Sequence, residues 1–328
     1  MFPKAIWTGG ILTMIYFDTH CDTLLHLTSH EVSLAENNLQ LDLKRLRGLG
    51  QAVQVFAACV SPACSQGDAA RRAFVLIDRY WREIERWPGL VAHCNTGSDI
   101  ERALREGKVA ALLSIEGGEA LVGDLSALRI YYRLGVRSLC LTHNARNELA
   151  DGASFSDTGG GLTSLGRSVV DEMNRLGMLI DVSHLAVRGF WDVIEATSQP
   201  IIASHSDSRT LCDHVRNLTD SQLLAIRDHG GVVGINYYPL FLNHDGRATL
   251  TDIIRHLEYM VALMGVDHVG LGSDFDGIPC WPEDVCDVTD VTKIIEALTR
   301  LNYSREDIEK IAGGNFLRLT GTMGVIQS

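Results

Sequence analysis

The sequence predicts a single-domain α/β fold, a (β/α)8 barrel of the TIM type, and three observations lead to it. Eight short apolar runs rich in Val, Ile, Leu and Ala recur along the 328 residues, as is typical of strands buried on both faces. Charged segments with helical spacing separate the runs. Polar residues cluster after most of the runs, at the end of the barrel where such folds carry functional groups. A doubly wound open sheet is the rival fold.

The predicted strands and helices alternate along the chain. Strands are expected near residues 14–20, 52–60, 109–115, 136–142, 177–183, 200–205, 231–237 and 267–274. Helical spacing occurs over residues 69–86, 124–134, 165–176, 186–196, 219–228 and 251–264. Gly or Pro marks several turns into the next strand, as at Gly135, Gly177 and Pro200. Because no linker or repeat divides the chain, we expect one barrel rather than two domains.

We expect the barrel to occupy residues 14–322, between an N-terminal extension of residues 1–13 and a C-terminal tail of residues 323–328. The apolar N-terminus with Lys4 resembles a signal peptide, but cleavage there would damage the strand that carries His20. Met14 could be the natural start. The predicted location is therefore the cytoplasm.

Composition and charge exclude two classes of partner. The net charge is −12 and no basic run could bind phosphates, so nucleic acid is not an expected partner. No apolar segment is long enough to span a membrane.

The eight cysteines form no C-x-x-C pair, and free thiols in a reducing cytoplasm are the preferred interpretation. A Cys280–Cys286 disulfide is the alternative.

Metal-ligand side chains recur at the ends of the predicted strands. His20 and Asp22 share one face of the first strand, because alternate residues of a strand point the same way. Glu116, His184 and His205 end three later runs. Three imidazoles and two carboxylates are enough for two ions such as zinc if one carboxylate bridges them. Glu116 is the natural bridge, since it stands apart on the third strand.

A further carboxylate ends the eighth run. Asp274, within Gly-Ser-Asp-Phe-Asp-Gly, would lie beside a hydroxide shared by the two metals, as proton acceptor and later donor. Asp276 would point to the same face of a strand and is the alternative base. Asp18 is interpreted as a structural or supporting residue. A single histidine at a strand end is usually structural, but five ligand-type residues at successive strand ends argue for a metal site.

A series of short motifs runs through residues 15–320. They lie at residues 17–22, 114–118, 141–144, 150–152, 181–184, 203–206, 216–217, 272–277 and 313–318, reading FDTHCD, SIEGG, LTHN, ADG, DVSH, ASHS, RN, GSDFDG and GGNFLR. In this order the motifs resemble the membrane dipeptidase (renal dipeptidase) family of metallopeptidases, within the amidohydrolase superfamily. Each motif alone is modest, but the ordered set is highly specific.

This resemblance implies a binuclear zinc site. His20 and Asp22 would hold one ion, His184 and His205 the other, and Glu116 would lie between them. A hydroxide bridging the two ions would be the nucleophile. The prediction from residue types at strand ends and the family pattern therefore give the same five metal ligands.

The resemblance also implies how substrate is bound. His143 would polarise the scissile carbonyl or hold the oxyanion, Arg216 would pair with the free carboxylate of the substrate, and Asp274 matches the acid/base residue. The implied reaction is hydrolysis of a dipeptide with a free C-terminus, with tolerance of a D-amino acid at that end. The resemblance also suggests a homodimer. Animal members of the family carry a lipid anchor, but the last residues of this sequence lack the hydrophobic tail that such an anchor needs, so none is expected. The end of the fourth strand gives an independent hint for His143, whereas nothing else distinguishes Arg216 from other arginines.

Two other functions are alternatives to dipeptide hydrolysis. Another binuclear hydrolase could act on a lactone, cyclic amide or phosphoester, but those substrates need no carboxylate anchor such as Arg216. A metal-stabilised binding protein would need no base such as Asp274, because structural zinc sites have no open position.

Overall fold

The computed structural model describes residues 7–8, 11–12, 14–27, 32–60, 66–321 and 323–324. Within these residues eight parallel strands close into a barrel in chain order. Closure is made where Leu271 of the last strand pairs with Asp18 of the first. The barrel strands are β1 (Ile15–Cys21), β2 (Gln51–Cys59), β3 (Val109–Glu116), β4 (Val136–Cys140), β5 (Leu179–Asp181), β6 (Ile202–Ala203), β7 (Val232–Ile235) and β8 (Val269–Leu271).

Helices surround the barrel. The α-helices are α1 (Leu43–Gly48), α2 (Gln66–Arg86), α3 (Gly97–Arg105), α4 (Leu125–Arg133), α5 (Ser164–Leu176), α6 (Val187–Ala196), α7 (Asp220–Asp228), α8 (Pro239–Leu242), α9 (Leu250–Met264), α10 (Val291–Arg300), α11 (Arg305–Glu309) and α12 (Asn315–Leu319). Short 3-10 helices lie at Thr23–Leu25, Gly118–Leu121, Ala153–Thr158, Val266–His268 and Val288–Asp290, and a π-helical turn lies at Lys310–Gly314. Three short strands are Trp7–Thr8 and Ile11–Leu12, which pair with each other, and Val91–His93, which pairs with β3.

The predicted barrel is confirmed. All eight predicted strands and all six predicted helices are present, with ends that differ by a few residues. The sequence prediction missed the strand Val91–His93 and six helices, namely α1, α3, α8, α10, α11 and α12. Four of these helices, α1, α8, α11 and α12, span only four to six residues and carry too few turns for a clear periodicity. The helices α3 and α10 are amphipathic, with nine and ten residues, and the prediction did not single them out.

Capping residues explain where several helices begin. At α3 the side chain of Thr96 accepts from the backbone of Asp99, and the Asp99 carboxylate accepts in return. Thr219 and Gln222 make the same reciprocal pair at α7. Such pairs satisfy backbone N–H groups that lack partners in the first helical turn.

The C-terminal motif closes the end of the barrel where the strands begin. Phe316 packs on Phe17, with ring centroids 5.8 Å apart, and belongs to the core inside the barrel. The Asn315 amide donates to Val269 O, 2.8 Å away. A side chain at Gly313 would lie 2.6 Å from Ile15 O, so this close approach requires glycine. The opposite end, where the strands finish, is left for the polar side chains.

Both ends of the chain extend beyond the predicted barrel. Met323 is buried, and Gly324 N donates to Gly177 O at 2.9 Å. Near the two ends, residues 1–6, 9–10, 13, 322 and 325–328 lie outside the described residues. The division at residues 14 and 322 therefore stays a prediction.

Two further sequence predictions concern thiols and membrane segments. Cys280 and Cys286 are free thiols in the structure, so they do not form the alternative disulfide. Cys64 lies outside the described residues. Among the described helices, none combines the length and apolar character needed to cross a bilayer.

Candidate active site

The ends of the barrel strands position the five predicted ligands. His20 lies in β1, and Asp22 is the first residue after that strand. Glu116 is the last residue of β3. His184 and His205 lie in the loops just after β5 and β6. His184 has a φ of +66°, a left-handed conformation that is unfavourable for a residue with a side chain. Such strained residues cluster at functional sites, where the surrounding structure holds them in place.

Glu116 lies at the centre of this cluster. Its Oε1 is 2.9 Å from His184 Nε2 and 3.5 Å from His205 Nε2. Its Oε2 is 3.7 Å from His20 Nε2, which in turn is 3.5 Å from Asp22 Oδ2. The structure therefore brings together all five residues, with Glu116 between His20 and Asp22 on one side and two imidazoles on the other.

Unpartnered polar atoms show that the cluster suits a metal. All five side chains are buried, yet His20 Nε2, Asp22 Oδ1 and Glu116 Oε2 have no hydrogen-bond partner in the protein. An unsatisfied buried polar group costs about 1–3 kcal/mol, more when it is charged. The donors are imidazole nitrogen and carboxylate oxygen, which are ligands that zinc accepts.

Hydrogen bonds at Nδ1 orient the imidazoles of His184 and His205. His205 Nδ1 lies 2.7 Å from Ser204 Oγ, which donates to the Asp181 carboxylate. His184 Nδ1 lies 2.8 Å from Asn144 Oδ1. With Nδ1–H donating to these oxygens, both imidazoles turn the lone pair of Nε2 towards Glu116, as metal-binding histidines require.

Charge in the cluster divides unevenly among the side chains. Burial alone would lower the pKa of His20, but the negative charges of Glu116, Asp22 and Asp274 raise it to about 10. Burial lowers the pKa of His184 and of His205 well below the usual range. For Glu116, burial is overcome by the charge of His20 and the neighbouring imidazoles, which lower its pKa. The protein without metal therefore holds a protonated His20 beside an ionised Glu116.

Asp274 borders the same cluster. Its Oδ1 is 3.9 Å from His20 Nε2, and its Oδ2 accepts a hydrogen bond from Asn236 Nδ2 at 2.9 Å. The Asn236 side chain is itself fixed, because its Oδ1 accepts from Tyr238 N at 2.6 Å. Burial, with the charges of Asp22 and Glu116, raises the pKa of Asp274 to about 7. Asp274 is thus a carboxyl group that titrates near neutral pH with one oxygen facing the cluster.

Two other carboxylates near the cluster, Asp276 after β8 and Asp18 in β1, hold neighbouring segments in place. Asp276 Oδ2 accepts from Thr23 Oγ1 at 2.6 Å, and Asp276 Oδ1 accepts from Gln40 N at 2.7 Å. Asp18 accepts from Ser273 N at 2.9 Å and from Ser273 Oγ at 2.6 Å. Both oxygens of Asp276 are therefore engaged in holding neighbouring loops, whereas Asp274 has one oxygen directed to the cluster.

His143 and Arg216 flank the cluster. The His143 ring stacks on His184 with centroids 4.4 Å apart, and its Nδ1 is buried without a partner. Arg216 is 5% exposed and donates from Nη2 to His205 O at 3.2 Å, while its Nε is buried without a partner. Among the described residues no carboxylate forms an ion pair with this guanidinium. A buried cation without a counterion is costly, so this arrangement favours an anionic ligand.

Sequence reasoning missed two residues at the site. Asn236 follows β7 and Cys59 ends β2, and these are the two strand ends that showed no metal-ligand or base pattern. Cys59 lies with Glu116 and His143 in a group whose ligand atoms are within 4.8 Å of one another. In the sequence, the only feature that could have indicated either residue was an amide or a thiol side chain at the end of a barrel strand.

Comparison with known proteins identifies the family. The family model described as "Membrane dipeptidase (Peptidase family M19)" matches residues 11–327. The chain belongs to this family. The dipeptidase aclJ of Aspergillus oryzae is 36% identical over 328 residues, covering 97% of this chain and 75% of that protein.

Solved structures give the same result. The chain resembles a family M19 metallopeptidase, dipeptidase AC, with a TM-score of 0.89 and 31% identity over 95% of this chain and 99% of that one. It also resembles a metallopeptidase from Rhodobacter sphaeroides bound to a phosphinate mimic of the dipeptide L-Ala-D-Ala. That structure gives a TM-score of 0.89 and 30% identity over 94% of this chain and 99% of the other. The enzyme is therefore a metal-dependent dipeptidase on a TIM barrel, which confirms the predicted family and the predicted dipeptidase class.

Proposed function

We propose that this dipeptidase uses two zinc ions to hydrolyse dipeptides that have a free C-terminal carboxylate, including those that end in a D-amino acid. The observation that carries the proposal is the buried guanidinium of Arg216, which lacks a carboxylate partner among the described residues and contacts the backbone of His205. An anion is therefore expected beside the imidazole–carboxylate cluster, and a dipeptide supplies one at its C-terminus.

The metal ligands divide into two groups around one bridge. His20 and Asp22 would hold one ion, His184 and His205 the other, and Glu116 would contact both. Asn144 and the Ser204–Asp181 pair keep the Nε2 atoms of the second group directed inwards. When bound, two zinc ions make a water molecule nucleophilic near neutral pH.

Asp274 would transfer the proton. Asn236 donates to its Oδ2, so Oδ2 acts as an acceptor and Oδ1 is the oxygen that faces the cluster. Oδ1 is therefore the atom expected to take a proton from the attacking water and return it to the leaving amine. A pKa raised to about 7 by burial suits a group that must first accept and then donate near neutral pH.

His143 would hold the scissile carbonyl of the substrate, and Arg216 would hold its terminal carboxylate. The imidazole of His143, stacked on His184, can donate to the oxygen of the scissile carbonyl, where negative charge develops. The guanidinium fork of Arg216 suits a carboxylate in two parallel hydrogen bonds. Such an anchor fixes the backbone end of the last residue rather than its side chain. The L-Ala-D-Ala mimic bound to the Rhodobacter sphaeroides relative supports acceptance of a D-residue there.

A substrate panel tests the proposal. The zinc-loaded enzyme should cleave L-Ala-D-Ala and L-Ala-L-Ala, while the C-terminal amide of either should be a poor substrate because it lacks the charge that Arg216 would bind. Equal cleavage of the amide and the free acid would refute the anchor. Sedimentation in the same buffer tests the proposed homodimer, for which a monomer at assay concentration would be the contrary result.

A further inference from the structure

Beside the five ligands of the proposed zinc pair lies another group of donor atoms. Cys59 at the end of β2 pairs in register with Glu116 at the end of β3, so the two residues are direct neighbours across parallel strands. The ligand atoms of Cys59, Glu116 and His143 all lie within 4.8 Å of one another. Thiol, carboxylate and imidazole together form a donor set found in protein zinc sites.

The surroundings of this thiol differ from those of the neighbouring buried cysteines. The thiol of Cys140, on β4, donates to Ser183 O at 2.8 Å, and that of Cys94 donates to Ala92 O at 3.4 Å. The Cys59 thiol instead lies against two side chains, with a hydrogen bond to the Glu116 carboxylate and the His143 imidazole close by. Glu116 is 2% exposed and its Oε2 has no hydrogen-bond partner, and His143 Nδ1 is also buried without one.

We propose that Cys59, His143 and Glu116 form an additional cation site that takes a thiophilic divalent ion, such as cadmium or excess zinc, and thereby inhibits the enzyme. Binding of the ion stands on the geometry alone, whereas inhibition rests on the proposed function, in which His143 holds the substrate carbonyl. On binding, the S–H bond of Cys59 breaks, a sulfur–metal bond forms and the proton passes to solvent. No oxidation state changes.

The geometry allows such an ion with small side-chain movements. Zinc lies about 2.3 Å from sulfur and about 2.0–2.2 Å from nitrogen or oxygen, so donors on one ion are about 3.3–3.8 Å apart. The three side chains therefore need to close by no more than about 1.5 Å. Glu116 can be shared with the zinc pair, because a carboxylate offers about four lone-pair sites on its two oxygens.

Chemistry restricts which ions would bind and when. A thiolate ligand selects soft or borderline ions such as cadmium and zinc over magnesium and calcium. The thiolate rather than the thiol binds metal, so the ion must displace the thiol proton of Cys59, and it must also share Glu116 with the principal pair. The additional site should therefore fill only after the principal pair, when the ion is in excess.

A cadmium titration tests the site directly. The background is the full-length zinc-loaded enzyme in which Cys64, Cys280 and Cys286 are replaced by Ser, because Cys280 and Cys286 are exposed and would bind cadmium themselves. The two measurements are the ultraviolet charge-transfer band of a thiolate–cadmium bond and the dipeptidase activity. The principal ligands include no thiol, so exchange of zinc for cadmium there produces no such band. We expect a saturable band, with activity lost over the same cadmium range.

Variants of two buried cysteines decide the assignment. In this background, Cys59→Ala should keep its basal kcat/KM, lose the band and need at least about tenfold more cadmium for half-inhibition, as expected when a metal ligand is lost. Cys140→Ser, the matched control on a neighbouring strand, should retain the band. Cys59→Val, which keeps more of the side-chain volume, serves if Cys59→Ala is unstable.

Each contrary result has a distinct meaning. No band in the background protein, or a band that persists without Cys59, would overturn the site. Loss of the band with unchanged cadmium sensitivity would overturn the inhibitory role. Because the band is read without substrate, a background enzyme that fails to cleave dipeptides would refute the proposed function and still leave the band to decide the site.

Discussion

Replacement of Arg216 by Ala should cause a large and specific loss of activity towards free dipeptides. Arg216 is 5% exposed, so its pairing with a substrate carboxylate would occur away from water. Removing one partner of a buried charged pair costs about 3–5 kcal/mol, because the other charge is left uncompensated. At about 1.4 kcal/mol for each factor of ten, kcat/KM should fall by roughly two to three and a half powers of ten.

The assay is steady-state hydrolysis of L-Ala-D-Ala, with zinc content and thermal unfolding measured on the same samples. Arg216→Lys should give an intermediate value, because lysine keeps the charge but loses the fork geometry. Arg209→Ala is the matched control, since Arg209 lies in the same loop and pairs with Asp213 at 2.7 Å. A near-parental kcat/KM in folded, zinc-loaded Arg216→Ala would refute the reasoning.

Three further predictions concern proton transfer and metal uptake. Asp274→Asn should retain its zinc and its KM, while kcat falls by about 10²–10⁴-fold. The control, Asp276→Asn, should lose thermal stability rather than turnover, because the Asp276 carboxylate accepts hydrogen bonds from Thr23 and Gln40. Asn236→Ala should also lower kcat at unchanged zinc content, since Asp274 Oδ2 loses its donor, and an unchanged kcat would exclude this positioning. The pKa of His20 is raised to about 10 without metal, so zinc binding at pH 8 should release its proton, and this release should vanish above pH 10. Calorimetry in two buffers of different ionisation enthalpy measures this proton, and no release at pH 8 would contradict the prediction.

The barrel could be predicted from the sequence because its strands and their ends follow simple patterns of residue type. Strands of a parallel barrel are buried on both faces, so their apolar runs stand out, and residues at their ends must meet at one rim. His20, Glu116, His184 and His205 were found for this reason, as ligand-type side chains at strand ends. The helix α1 was not found, because its six residues carry too few turns of periodicity.

The competition between Asp274 and Asp276 shows what a sequence pattern omits. Alternation along a strand places both carboxylates on one face. In the structure β8 ends at Leu271, and the φ angles of Asp274 and Asp276 are +63° and +66°. The chain therefore turns, and the two side chains separate, one towards His20 and the other towards Gln40.

Other parts of the site depend on contacts that no local pattern encodes. The residue types of Asn236 and Cys59 alone do not indicate a role at the site. Asn236 contacts Asp274 because β7 lies beside β8, and Cys59 lies next to Glu116 because β2 pairs with β3. Arg216 is distinguished from the other arginines by its burial and its unpartnered Nε, neither of which is visible in the sequence. The cytoplasmic location and the homodimer stay predictions.

The central claim is a zinc pair bridged by Glu116, and metal titration tests it most directly. Protein stripped of metal should take up two zinc ions per chain, measured by elemental analysis, and activity should reach its maximum at the second equivalent. Glu116→Ala should lose affinity for both ions, because its two oxygens lie beside both groups of ligands. One zinc ion at full activity, or a Glu116→Ala variant that loses only one of two ions, would contradict the bridged pair.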